Sequence, residues 1–380
     1  MTALHHPLPG AATIAVAPRT LQLGFLTPHN TLDQQAFSGT AFHAARALKQ
    51  TPGVSCRLIG THHRAPRPLD RFLRPRRAVA KITAAELRGL DMVVGLVATP
   101  LLHDLAQISD LPFLHVTDAT PAFLRDTYGW AIPESADVQE AFVARKAAAC
   151  AYSSAYMAAR ARHDLALAGP RSIPFGLNLD APATLPEKPS LARLNLLFVG
   201  ADWARKGGDM AVAALDTIRL SGVDAQLTVA GNVPENVARH PHVTSVGFLN
   251  KNRAPDHALL TRLYKEAHLF LLPTRADCSP MVLAEAMAHG TPVIASDTGG
   301  VSEIVGRAGA GRVLPLAATA AGWADAIRAL TDDPALWALA SDTAYDRATT
   351  ALTWATWAGE VADLARHCLT VNAPKLALTA

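Results

Sequence analysis

Long apolar runs are missing from this sequence. None approaches the ~18 residues needed to cross a bilayer as a helix. Residues 1–18 have no basic stretch followed by a long apolar one, so no secretory signal is expected. Cysteine is sparse: Cys56, Cys150, Cys278 and Cys368 are scattered without metal-ligand spacing, which fits a reducing compartment. Charge is sparse too, at 18% of residues against ~25% in an average soluble domain. With 50% apolar residues, this points to a large, well-buried fold and away from disorder. The net charge of +3 is too small to argue for nucleic acid. There is no internal repeat at solenoid periods. No G-x-G-x-x-G opens a helix after any apolar run, which disfavours a hydride-transferring dehydrogenase.

What is present is alternation. At 380 residues the chain exceeds the ~250–300 at which a single core stops growing, so two domains are expected. Strand-like runs at 21–27, 54–59, 91–97, 111–117 and 148–154 alternate with helical patterns. The same alternation resumes with runs at 194–199, 226–230, 244–248, 269–272 and 292–296. Between the two series lies the Pro-rich stretch Ala181-Pro-Ala-Thr-Leu-Pro-Glu-Lys-Pro189, the best linker in the chain. Residues 319–371 read as largely helical. The expected division is a first domain at 1–176, a linker at 177–190 and a second domain at 191–353. A final helix from 354 packs back on the first domain, and a loose tail ends the chain at 380. The fold class is α/β, with two Rossmann-like, doubly wound parallel sheets facing a central cleft. Right-handed crossovers put all βα loops on one edge of each sheet, where ligands of such sheets bind.

The most informative stretch is Thr274 to Pro292. Ser279 suits an N-cap, Pro280 the first helical position and Gly290 a left-handed C-terminal residue, so a helix is expected from about Pro280 to His289. Its residues are apolar on every side, which marks a buried helix. Glu285 is its only acid, and a buried carboxylate needs a partner. Asp277 precedes it in the loop that feeds the helix start, itself an anion site. Two readings stand: a site for a ligand with both hydroxyls and phosphates, or a core helix with Glu285 bonded to nearby backbone.

Other loops on the same edge add to this. Arg205 and Lys206 sit among Gly200, Gly207 and Gly208, where a guanidinium fork and a point charge suit a diphosphate. Gly299 and Gly300 form a second place for backbone N–H groups to cradle an oxyanion. In the first half, Ser38 is read as an N-cap and Gly39 as a point of close ligand approach. Asp118, just past a strand end, is a site candidate or a helix cap; His115 inside the preceding run reads as a core histidine. The segment 61–81 carries Arg64, Arg67, Arg71, Arg74, Arg76, Arg77 and Lys81 between prolines. It reads as a solvated loop, with contact to an anionic membrane surface or an acceptor phosphate as the sharper alternative.

These residues carry a resemblance. Phe198-Val-Gly-Ala-Asp-Trp-Ala-Arg-Lys-Gly-Gly-Asp209, the Asp277-x7-Glu285 pair and Gly290-Thr-Pro-Val-Ile-Ala-Ser-Asp-Thr-Gly-Gly300 resemble the retaining glycosyltransferases of GT-B fold, family 4 (group 1). Ile173-Pro-Phe-Gly-Leu-Asn178 resembles the family's interdomain stretch, and Ser38-Gly39-Thr40 its N-terminal glycine loop. The resemblance implies a donor diphosphate on Arg205 and Lys206, ribose hydroxyls on Glu285, and the donor sugar on Asp277 and the backbone of Cys278, Ser279, Pro280 and Met281. It places the base near Gly231, Phe248 and Leu249. It implies transfer from the front face of the sugar, the departing phosphate helping to deprotonate the acceptor, and no cofactor or metal.

The sequence departs from the family pattern in three places. Asp277 is one methylene shorter than the usual Glu. Asp202 stands where an Arg is often found. The family's N-terminal-domain His has no clear match, with Asp118 the nearest candidate. The function so implied is transfer of a sugar from a nucleotide-sugar donor, UDP or GDP first, to an acceptor the sequence does not identify. The alternatives are a nucleotide-sugar epimerase, which would turn over donor without acceptor, and a non-catalytic nucleotide- or sugar-binding subunit. The expected location is cytoplasmic, with peripheral contact at the inner membrane face through 61–81.

Overall fold

The computed structural model describes residues 19–60 and 82–371. The basic segment 61–81 and the tail at 372–380 lie outside the described residues, and so do the readings that rest on them.

Two six-stranded sheets form, and every strand pair in both is parallel. The first contains β1 (Leu21–Leu26), β2 (Val54–Leu58), β3 (Met92–Leu96), β4 (Phe113–Thr117), β5 (Ala149–Tyr152) and β6 (Arg171–Ser172), in the order β2-β1-β3-β4-β5-β6. The second contains β7 (Leu194–Val199), β8 (Ala225–Ala230), β9 (Val243–Gly247), β10 (Leu269–Leu272), β11 (Val293–Ser296) and β12 (Gly311–Leu314), in the order β12-β11-β10-β7-β8-β9. Central strands β3, β4, β10 and β11 are buried along their whole length. That is why they read as continuous apolar runs: helices cover both faces of a parallel sheet.

In each sheet the strand order reverses once, at β1/β3 and at β7/β10. The crevice beyond the carboxyl ends of the strands at such a reversal is where open α/β sheets bind ligands. The loops leaving β1, β3, β7 and β10 therefore define where a site can be, before any side chain is considered.

The two sheets are joined by a fixed crossing. Leu177 N–H donates to Leu352 O at 2.9 Å, and the Trp354 indole N–H donates to Asn178 Oδ1 at 2.9 Å. Phe175 stacks on Trp354, and a Cβ on Gly176 would lie 2.2 Å from the Trp354 backbone nitrogen. Only glycine lets the linker pass so close to the last helix, Trp354–Val371. Further along, Lys188 Nζ donates to the carbonyls of Tyr264 and Ala267 and to Thr291 Oγ1, fastening the linker to the second sheet's helices. One buried apolar cluster runs from Leu23 and Phe25 through Phe175 and Leu177 to Met287 and Trp357, so both sheets share part of their core.

Two local expectations are corrected. The central helix spans Met281–Met287, with Pro280 at the cap and no side-chain cap bond. Ser279 therefore sits one residue too early to reach the free N–H groups; its hydroxyl lies 3.7 Å from Met281 Sδ. The helix after β1 starts at Thr40 with Gly39, not Ser38, at the cap. Phe37, Ser38 and Gly39 take left-handed φ values of 49°, 58° and 94° in succession, which turns the Ser38 side chain away from a capping position.

Candidate active site

A cleft of about 600 Å³ opens between the two sheets at their strand reversals. From the second domain it is lined by Gly200, Arg205 and Lys206 after β7, Gly231 after β8, Phe248 and Leu249 after β9, and the stretch from Asp277 through Met281 with Glu285 after β10. From the first it is lined by Asp118 after β4, by residues of the β1 and β3 loops, and by Tyr128 and Trp130. Most of the residues singled out in the sequence thus converge. A second cavity of about 390 Å³ lies at the hinge, and among the described residues that line it Arg46 and Asp180, both largely exposed, stand 3.9 Å apart as an ion pair.

Gly39, Gly299 and Gly300 do not line the cleft, and the geometry gives each another task. A Cβ on Gly39 would meet Gln34 O at 2.8 Å, so this glycine closes its own loop. A Cβ on Gly299 would lie 1.9 Å from Asp277 O, and the Gly300 N–H donates to Cys278 O at 2.9 Å. That N–H is therefore occupied, and the pair packs against the acid-bearing loop and braces it. Gly231 does the same for Gly200: its Cβ would lie 1.9 Å from Gly200 O. Glycine in these loops serves close approach between neighbouring chain segments.

The second-domain wall is built from charge pairs. Lys206 Nζ is hydrogen-bonded to the Asp277 carboxylate, and Arg205 Nη1 stands 3.8 Å from the same oxygen. Arg205 is positioned from three sides: Nη1 donates to Ala276 O at 2.8 Å, Nε donates to Asp202 at 3.1 Å, and the guanidinium lies 5.0 Å over the Tyr128 ring. Asp202, the departure from the family pattern, caps the short helix Trp203–Lys206 by accepting from the Arg205 N–H at 3.2 Å. It orients the cation that follows it.

Glu285 is 2% exposed, and both its oxygens are engaged. One accepts from the Tyr264 hydroxyl at 2.9 Å, the other from Lys251 Nζ at 3.3 Å. The reading in which Glu285 bonds nearby backbone is thereby replaced by a side-chain network. Burial pushes the Tyr264 hydroxyl well above its ordinary range, so it stays protonated and donates. The same Lys251 donates to Ser38 O at 2.7 Å across the cleft, while its backbone N–H donates to Gln35 Oε1 at 3.0 Å. Asn252 adds a bond to Asp33 at 2.6 Å. The β9 loop thus clasps the β1 loop of the other domain.

Across the cleft, Asp118 lies 3.7 Å from Cys278 Sγ, and the Tyr128 hydroxyl accepts from the Cys278 N–H at 2.9 Å. Asp118 is not a cap: Thr120 caps the helix Pro121–Tyr128. His115 is a core histidine, its Nε2 2.7 Å from the buried Glu140. Burial raises the Asp118 carboxyl from 3.8 to about 6. The folded protein therefore holds this proton more tightly than the unfolded chain, a contribution complete in acid and lost as pH rises through 6. Asp118→Asn, neutral throughout, should melt above wild type at about pH 8, with the gap closing as pH falls from ~6 to ~4. A melting series against pH checks this; a gap independent of pH would remove Asp118 from a desolvated position.

Lys251, Tyr264, Tyr128 and Trp130 were missed from sequence. Lys251 had a usable signal, because Asn250-Lys251-Asn252 is a polar cluster just past a strand end, the cue that found Asp118. Tyr264 had none, since its partner is on another helix. Among the described residues no group of three or more His, Cys, Asp or Glu side chains converges as a metal would need.

Two facing parallel α/β sheets with the polar cleft between their strand ends define the GT-B class. Residues 193–333 match the family model described as Glycosyl transferases group 1. The glycogen synthase of Mycobacterium tuberculosis is 30% identical over 183 residues, 47% of this chain and 43% of that protein. The D-inositol 3-phosphate glycosyltransferase 1 of Catenulispora acidiphila is 34% identical over 152 residues, 37% of this chain and 36% of that protein. The matches thus span less than half the length of these curated relatives. The fold extends further: sucrose-phosphate synthase from Thermosynechococcus elongatus superposes with a TM-score of 0.69 at 20% identity, over 93% of this chain and 100% of that one. Anabaena Alr3699/HepE in complex with UDP gives 0.63 at 15% identity, over 91% and 100%. No helix among the described residues is long and apolar enough to cross a membrane.

Proposed function

We propose that the protein is a glycosyltransferase that moves a sugar from a nucleotide-sugar donor to an acceptor hydroxyl with retention of configuration. The observation that carries this is the pairing of cations and acids on the second-domain wall: Arg205 and Lys206 beside Asp277, and Lys251 beside the buried Glu285. A nucleotide sugar needs the same complement, with cations for the diphosphate and carboxylates for the hydroxyls of ribose and sugar. The diphosphate shares Lys206 and Arg205 with Asp277, and the ribose hydroxyls meet a Glu285 already oriented by Tyr264. The anomeric carbon–oxygen bond breaks as negative charge grows on the departing phosphate, where the cations stabilise it. The acceptor oxygen bonds the same face of the sugar, and its proton passes to a departing phosphate oxygen. No metal or cofactor is called for in this scheme.

A melting screen against UDP, GDP, ADP and TDP tests the reading. A nucleotide at ~100 times its Kd stabilises by about 2.7 kcal/mol, a shift of several degrees. The UDP held by the Anabaena relative makes UDP the first choice. No shift with any of them would sink the donor assignment. Glu285→Gln should fold but melt lower than wild type, because the amide fills the same space and its one oxygen can accept from Tyr264, while its NH2 faces Lys251 and the ion pair there is lost. It should bind the nucleotide about tenfold more weakly, since the charged acceptor for the ribose is lost. Calorimetric titration beside a circular-dichroism melt reads both; unfolding in place of weakened binding would make Glu285 a structural residue only. Peripheral attachment to the inner membrane face through 61–81 and a cytoplasmic location belong to the same proposal.

A further inference from the structure

The hinge cavity of about 390 Å³ shares no lining residue with the cleft. Its walls come from the parts of the chain that fix the two domains relative to each other. His43 and Arg46 lie on the helix Thr40–Gln50 of the first domain, and Thr349 lies on the helix Pro334–Thr350 of the second. Leu177 and Leu179 belong to the crossing, and Trp354 opens the last helix. Going beyond the transferase reading, we infer that this cavity is a regulatory site for a small amphipathic zwitterion, an α-amino acid with an apolar side chain. Its carboxylate meets Arg46, its ammonium meets Asp180, and its apolar body lies on Leu177, Leu179 and Trp354.

The polar groups left free decide what fits. The hydroxyls of Thr51, Thr349 and Thr353 are occupied by Ala47 O, Tyr345 O and Thr356 Oγ1, at 2.9, 2.7 and 2.8 Å. The Trp354 indole N–H is taken by Asn178 Oδ1, so its ring offers apolar surface alone. A sugar or other polyol would find too few partners here. What remains is Arg46 beside Asp180, with His43 and Gln50. At 3.9 Å the ion pair is longer than a hydrogen bond, so neither group satisfies the other. A lone anion would meet Asp180 and a lone cation Arg46, whereas a zwitterion complements both. His43 is 9% exposed, and its Nε2 has no hydrogen-bond partner among the described residues. Burial lowers its pKa to about 4, so the ring is neutral and offers a hydrogen bond without a charge. A mostly apolar pocket with a few placed polar groups is the usual setting for a small ligand.

Asn178 links the cavity to the donor side. Its Nδ2 donates to Thr40 Oγ1 at 3.2 Å, at the start of the helix that carries His43 and Arg46. Its backbone oxygen lies 3.5 Å from Lys251 Nζ, the group that holds Glu285. A ligand that touches both domains here favours the arrangement in which Lys251 reaches Ser38 across the cleft. It changes affinity for a nucleotide through that difference between arrangements, and the effect is reciprocal.

NMR titration of the full chain tests the inference. The probes are L-leucine and L-phenylalanine, with 3-phenylpropionate and phenethylamine as single-charge controls. At least one amino acid should bind more tightly than either control. Arg46→Gln and Asp180→Asn should each weaken it about fivefold. Gly359→Met should abolish it: Gly359 lines the cavity, and a Cβ added there meets nothing within 4 Å, so the longer side chain fills the space. Methionine is also favoured over glycine in a helix, so this variant should fold. In calorimetric titration, saturating amino acid should tighten UDP about fivefold in the wild-type chain and leave Gly359→Met unchanged. No amino acid bound, controls bound equally well, or binding untouched by the two charge variants would each overturn the site. Unchanged or weaker UDP binding would overturn its regulatory role. Absence of UDP binding in the wild-type chain would instead strike at the donor reading, and the amino-acid titrations, which need no nucleotide, still decide the site.

Discussion

Lys206→Ala should lower the rate of sugar transfer at least tenfold and abolish the melting shift produced by the nucleotide. The ammonium is the most enclosed cation beside the expected diphosphate, and it touches Asp277, which is 6% exposed. Removing a single preorganised group that meets growing negative charge costs about 10²–10³ in turnover in the best-studied sites. Lysine here also neutralises a buried carboxylate, and an unpaired buried charge destabilises the fold. The double variant Lys206→Ala with Asp277→Asn separates the two effects. It should regain the melting temperature lost in Lys206→Ala while transfer stays low. Steady-state kinetics beside melts of each variant give the answer; near-normal turnover in Lys206→Ala would remove this residue from the role.

Gly299→Ala should be nearly as damaging, although Gly299 does not face the cleft. Its φ is 53°, and the added methyl would lie 1.9 Å from Asp277 O, a backbone atom with no soft route of escape. The loop from Asp277 to Cys278 must move outward, carrying its acid away from Lys206. Misplacement by ~1 Å can cost on the order of 10²-fold in rate. We expect at least a tenfold fall in transfer and a melting point several degrees lower. Gly309→Ala is the control: its φ of 92° is equally left-handed, but an added Cβ there meets nothing within 4 Å. It should lose ~1–2 kcal/mol of stability and keep its activity. Equal activities for the two variants would show that the brace on Asp277 is dispensable.

Several residues that line the cleft stood out from local cues. Glu285 did so as the lone acid of an apolar helix, Asp277 as an acid in the loop that feeds that helix, and Lys206 as a cation in a glycine-bracketed loop after a strand. A conflict such as that between Glu285 and its setting is visible along the chain. The glycines illustrate the reverse. Gly299 and Gly300 were read as a place where backbone N–H groups could cradle an oxyanion, and the structure puts another chain segment against them. What approaches is the Asp277–Cys278 backbone, twenty-odd residues earlier in sequence, and no local pattern says so. Ser279 and Ser38 misled for a related reason: both are good caps by residue type. The helix starts were shifted by Pro280 in one case and by three consecutive left-handed residues in the other.

By itself the sequence determined the fold class, because strand and helix periods are local properties, and apolar strands of this kind are stable only when helices cover both faces. It determined also that charged side chains gather on one edge of the second sheet, because right-handed crossovers put every βα loop there. Only the tertiary structure decided which groups meet across the cleft. Lys251 reaches from the β9 loop to Glu285 and to Ser38 of the other domain, Tyr264 reaches Glu285 from a neighbouring helix, and Tyr128 connects Trp130 to Cys278. The physical reason is range. Periodicity and capping act over a few residues, whereas these bonds depend on how two separately formed sheets pack against each other, and that is set by the whole shared core.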